Sequence, residues 1–114
     1  MDRSEVLILI KPVYRKNRDG IQKQLREIRH SIYCNVSSIS GTEWLEAGRS
    51  GIKPEFRFTI FEPDYDGETI CEYQGRRYAI YRLYRGRNET LELYVMQKGG
   101  VQPLDEDRSS VYDL

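Results

Sequence analysis

The sequence predicts a mainly β protein, a small antiparallel β-barrel of about six strands with one short α-helix near residues 41–48. Three observations predict it. Apolar and polar residues alternate over several short segments, as where Phe56, Phe58 and Ile60 interleave with Glu55, Arg57 and Thr59. That period of two puts one face of a strand on a core. Turn signals recur between these segments at the roughly 8–12-residue spacing of a small sandwich or barrel. Finally, Ser40-Gly-Thr-Glu43 matches a helix capping box and is followed by Trp44, Leu45 and Ala47 as an apolar face.

Taken in order, Val6-Leu-Ile-Leu-Ile10 is a continuous apolar run. It reads as a strand buried on both faces or lying at a subunit contact, with Lys11-Pro12 ending its regular pairing because proline cannot donate to a ladder. Tyr14 to Gln24 is polar and holds the turn signal Asp19-Gly20, so it is a mobile loop or the tip of a long hairpin. From Glu27 onward Ile28, His30, Ile32, Cys34 and Val36 fall on one side of a long strand. In the helix, Ser40 is the expected cap and Glu43 its reciprocal partner. Trp44 is the expected anchor, since two turns are marginal alone, and Gly48 or Gly51 takes the left-handed conformation that ends the helix.

Phe56–Ile60 is the next strand, and Pro63-Asp-Tyr-Asp-Gly67 a turn with glycine where positive φ is needed. Ile70–Tyr73, the tight turn Gln74-Gly75 and Arg76–Arg85 form a hairpin. Arg85–Glu89 connects to Thr90–Gln97, where Leu91, Leu93 and Val95 share a face. Residues 1–100 form one domain, and residues 101–114, with the acidic run Asp105-Glu-Asp107, are expected to be a flexible acidic tail.

A chain of 114 residues holds one core and buries roughly two-thirds of its extended surface, enough to fold without metals or disulfides. Net charge is zero, which removes the electrostatic case for nucleic-acid binding by the free molecule as a whole. The distribution is uneven: residues 1–30 carry eight Lys and Arg against four acids, whereas 62–72 holds five acids and no base. Opposite patches suit head-to-tail association, and they equally suit solvated loops. Cys34 and Cys71 lack a CxxC spacing and a nearby histidine, so they read as buried reduced thiols of a protein made in the cytoplasm. The longest apolar run is far too short for a membrane span, and the charged amino terminus is unlike a secretory signal.

Chemistry-bearing patterns are sparse. His30 is the one histidine, without metal-ligand spacing around it, and reads as a half-buried strand residue. Asp64-Tyr-Asp-Gly-Glu68 lacks the spacing of a calcium loop, and Gly48-Arg-Ser-Gly51 is not placed as a phosphate loop. No catalytic or cofactor-binding residue is expected. The strand around Tyr78, Tyr81 and Tyr84, with Arg76, Arg77, Arg82 and Arg85, carries an alternative, a single-stranded nucleic-acid platform. Glu72, Glu89 and Glu92 on neighbouring strands oppose it by pairing with those arginines.

One ordered set of motifs resembles a known family. Ser37-Ser-Ile-Ser-Gly-Thr-Glu-Trp-Leu-Glu-Ala-Gly48, then Ile52-Lys-Pro-Glu-Phe56, Tyr78-Ala-Ile80 and Leu91-Glu-Leu-Tyr94 resemble the head-closure proteins of long-tailed phages and prophages, the "stopper" components of the head–tail connector. The resemblance covers about residues 30–100. It implies a β-barrel with one short helix, no enzymatic activity, no cofactor and no membrane contact. It also implies a homo-oligomeric ring in the virion, with the portal or adaptor protein above, a tail completion protein below and packaged double-stranded DNA in the channel. A loop closes the channel in such rings. By position that loop is Ala47, Gly48, Arg49, Ser50, Gly51, Ile52 and Lys53, or alternatively Arg15, Lys16, Asn17, Arg18, Asp19 and Gly20 within Tyr14–Gln24.

Overall fold

Alternating apolar residues of six strands meet in one interior. The computed structural model describes residues 5–98, with the backbone alone at 24 and 25. In chain order these hold β1 (Glu5–Lys16), β2 (Gln22–Ser37), α1 (Gly41–Arg49), β3 (Pro54–Phe61), β4 (Ile70–Tyr73), β5 (Arg76–Arg85) and β6 (Thr90–Gln97). The strands close an antiparallel barrel in the order β1-β2-β3-β6-β5-β4, and β4 returns to β1 through Ile8–Ile10. Leu7, Leu9, Ile32, Cys34, Phe58, Ile60, Cys71, Leu91, Leu93 and Val95 fill it. Phe56, Phe58 and Tyr73 stack there with ring centroids 5.1–5.7 Å apart, in the tilted and edge-on geometry aromatic rings favour.

The strands of the first hairpin run further than the alternation predicts. β1 passes through Pro12 to Lys16, and β2 begins at Gln22. Beyond Ile10, β1 has β2 on one side and, among the described residues, no strand on the other. A free edge tolerates a proline. Residues 11–28 are therefore a two-stranded arm standing out from the barrel, and the reading of Tyr14–Gln24 as a hairpin tip holds. Two burial expectations are corrected. Ile28 is 47% exposed because it stands at the root of the arm, and His30 is exposed although its strand partner Leu9 is in the core. Val6 is also half exposed, so the run Val6–Ile10 is buried through Leu7, Leu9 and Ile10 and not on both faces throughout. The expected tail at 101–114 lies outside the described residues.

Two bulges shift the register in the barrel wall: Glu55 is extra on β3 opposite Val95–Met96, and Tyr81 is extra on β5 opposite Tyr94–Val95. Each adds one unpaired residue to its strand and interrupts the ladder there. The turns follow their chemistry. Gln74 and Gly75 both have positive φ (51° and 80°), as a two-residue hairpin turn requires, and Gly67 has φ 80°.

α1 begins as predicted, with the Ser40 hydroxyl accepting from the Glu43 amide at 3.1 Å. Its burial differs: Trp44 is 50% and Leu45 71% exposed, while Ala47 at 7% is the residue packed against the barrel. A nine-residue helix laid on a barrel wall has one narrow contact stripe, and the small Ala47 lets the backbone approach closely.

The helix ends in a Schellman motif. Ile52 N donates to Ala47 O and Gly51 N to Gly48 O, both at 3.0 Å, with Gly51 at φ 76°. The two glycines should therefore respond in opposite ways to alanine. Gly48 is helical with open space where a Cβ would stand, so Gly48→Ala should raise stability by about 0.5–1 kcal/mol. Gly51→Ala should lower it by about 1 kcal/mol, because an L-residue is strained at that φ. Urea unfolding of both variants measures this, and a same-sign result would contradict the cap geometry.

Candidate functional site

The arm is the most distinctive surface. Its tip is closed by Asn17, whose side-chain oxygen accepts from the amides of Asp19 at 2.9 Å and Ile21 at 3.0 Å. Gly20 supplies the positive φ, 80°, that lets the chain reverse there. Between Tyr14 and Arg26 the sequence places Arg15, Lys16, Arg18, Lys23 and Arg26 against the single acid Asp19. All five cations are exposed, and none joins an ion pair among the described residues.

The root of the arm is different. Arg77 of β5 holds Glu27 of β2 in a two-pronged pair with one N–O contact at 2.7 Å, and Arg29 reaches Glu72 of β4 at 3.1 Å. These cross-strand pairs brace the root against the barrel and leave it electrically neutral. The tip keeps its charge.

The segment Ala47–Lys53 has a different character. Ala47, Gly48 and Arg49 are the last turn of α1, Ser50 caps it, and Gly51, Ile52 and Lys53 lead through the Schellman bonds into β3. The segment is a hydrogen-bonded helix end. Its cation Arg49 is already paired with Glu46 at 3.2 Å.

Glu43 shows where capping-box logic stops. The structure places its carboxylate on the barrel wall, where it accepts from Tyr81 Oη at 2.7 Å and the Arg82 guanidinium at 2.6 Å. Arg82 in turn lies 4.0 Å over the Tyr94 ring, a cation–π contact, and Tyr94 Oη donates to Glu92 at 2.8 Å. This chain of contacts clamps α1 to β5 and β6, the task expected of Trp44. Partial burial pushes the Glu43 carboxyl up, but the hydrogen bonds from Arg82 and Tyr81 and the Arg82 charge outweigh it. The net shift is downward.

The Tyr/Arg strand is not assembled as a platform. Tyr78 is inside the barrel at 4% exposure, Tyr81 is the bulge residue bonded to Glu43, and Tyr84 is exposed. Arg77, Arg82 and Arg85 are each paired, Arg85 with Glu62 at 2.5 Å. The pairing acids are Glu27, Glu43, Glu62 and Glu72. Of the three foreseen, Glu72 takes part, and among the described residues no arginine ion pair forms with Glu89 or Glu92. Cys34 and Cys71 are buried and unbonded, and burial pushes both thiols up to about 12. Among the described residues no group of three or more His, Cys, Asp or Glu gathers as a metal site, and no helix is long and apolar enough to cross a membrane.

Sequence alone singles out Arg15 to Gly20 within the loop Tyr14–Gln24, which holds Lys23, and misses that Arg26 joins the same cationic strip. The signal is present as five bases against one acid over thirteen residues. It needs the hairpin register, which sets Arg15 beside Lys23 and Val13 beside Arg26.

No protein-family model matches the chain, and no curated protein matches it in sequence.

The clamp yields a pH prediction. A carboxyl held below its ordinary value stabilises the fold fully above that value and loses the contribution as pH falls through the lower, folded one. Trp44 emission should therefore change below about pH 4, ahead of global unfolding followed by far-UV circular dichroism. Glu43→Gln should remove the early transition; its persistence in that variant would assign it to another group.

Proposed function

We propose that this protein is a ring-forming subunit of a phage head–tail connector, of the head-closure kind, with a structural and not a catalytic task. The reading draws on the ordered motifs between Ser37 and Tyr94, on the mainly β barrel carrying one short helix, and above all on the arm. The arm is braced at its root, cationic at its tip and free of internal ion pairs there among the described residues, so it can reach a polyanion at a distance from the barrel body. In a ring of such subunits the arms converge on the channel and meet packaged double-stranded DNA. The barrels form the wall between the portal or adaptor above and the tail completion protein below. A heterologous ring closes by repeating one contact between two different surfaces, and the segregated charges of this neutral chain supply two.

Between the two channel-facing segments the arm is the better suited. Moving Ala47–Lys53 would break the Schellman bonds at the end of α1, whereas moving the arm costs no bond between β1 and β4, whose pairing stops at Ile10. The assembled protein belongs to the virion at the head–tail interface, after synthesis in the bacterial host cytoplasm.

Heads assembled without this protein should package DNA, leak it and fail to join tails, as seen by electron microscopy and nuclease sensitivity. Heads that retain DNA and gain tails normally would overturn the reading. In a ring containing R15E, K16E and R18E, DNA retention should fail while ring assembly persists. Binding of linear duplex DNA to rings should lose about one unit of log–log salt slope for each of these cations removed.

A further inference from the structure

The five cations of the arm have no ion-pair partner among the described residues, and the same chain carries a run of acids within reach of them. We propose that the acidic run Asp105-Glu106-Asp107 of this same chain docks along the arm and neutralises it until DNA displaces it. The contact itself rests on charge and reach. Its role as a shield rests on the connector reading above.

The exit point of the chain favours it. Lys98 N donates to Arg77 O at 3.3 Å, and the Arg77 side chain holds Glu27 at the arm's root. The polypeptide thus leaves the described residues beside the root of the arm. From Glu27 to the tip at Arg18 is about 30 Å of strand at roughly 3.3 Å per residue. From Lys98 to Asp107 an extended chain spans about the same distance. Arg26 and Lys23 lie within the first half of that path, so the acids reach them without full extension. Joining the acids to the barrel by so short a connection sets their local concentration near the arm in the millimolar range.

The barrel's own acids are less available. Glu62 holds Arg85, Asp66 holds Lys11 at 3.1 Å, Glu72 holds Arg29, and Glu68 accepts from the Asp66 amide at 2.8 Å. An acidic loop from a second copy would have to break such pairs to bring more than Asp64 of that loop to the arm. Asp105–Asp107 add three acids close together, with one base, Arg108, next to them.

Zero-length carbodiimide cross-linking of the full chain, dilute and at low salt, tests the contact. Mass spectrometry of the monomer band should find Lys16 or Lys23 joined to Asp105, Glu106 or Asp107. The yield should fall as ionic strength rises past about 0.15 M, where screening shortens to about 8 Å. The variant D105N/E106Q/D107N should lose these links and bind a short DNA duplex about tenfold more tightly at low salt. An absence of arm–tail links in the monomer overturns the proposal. Links confined to the dimer band also overturn it and assign the arm to a second copy. If the monomer links form but neither protein binds DNA, the docking stands and the channel role of the arm falls.

Discussion

Closure of the barrel depends on three residues of β1. Ile8, Leu9 and Ile10 pair with Glu72, Cys71 and Ile70 of a strand only four residues long. Because β4 is so short, it captures only this part of β1. Leu7 and Leu9 are drawn into the core, and everything from Lys11 onward is left with β2 as its strand partner. The barrel and the arm are thus two outcomes of one limit on strand length. Closure through Ile8–Ile10 joins the two ends of the sheet, while the arm keeps two edges, which its dense charge protects from unwanted strand pairing.

Around this frame the outer wall is organised by arginines. Arg29 and Arg77 lock the root of the arm to β4 and β5, Arg82 ties α1 to the wall through Glu43, and Arg85 holds the turn after β3 through Glu62. Such partly exposed pairs contribute modestly to stability, each on the order of 0–1 kcal/mol. Their main effect is to set geometry and to consume charge. In this neutral molecule five cations without ion-pair partners among the described residues stand together at one extremity. Net charge conceals this, because it sums pairs that cancel locally with a tip that the barrel does not neutralise.

This distribution changes which surface is read as functional. The arginine-rich β5 attracts notice in the sequence, yet it faces inward at Tyr78 and spends three of its four guanidinium groups on neighbouring acids. The charged loop without a marked motif keeps its cations exposed and out of ion pairs among the described residues. The segment after the helix, with glycines that resemble a flexible gate, is fastened by the hydrogen bonds that end α1.

Features that depend on a few neighbouring residues were legible in the chain alone. Alternation located the strands, Ser40 marked the start of the helix and Gly48 or Gly51 its end, and Gln74-Gly75 made its turn, because these features rest on backbone conformation and hydrogen bonds between near neighbours. Folding in three dimensions settled how far β1 and β2 run past the barrel and where the bulges at Glu55 and Tyr81 shift the register. It also turned the Glu43 carboxylate toward Arg82 and away from its own helix. Those outcomes come from contacts such as Arg77 with Glu27, separated by 50 positions in the chain, whose partners are chosen by register and ring closure. No local pattern carries that information.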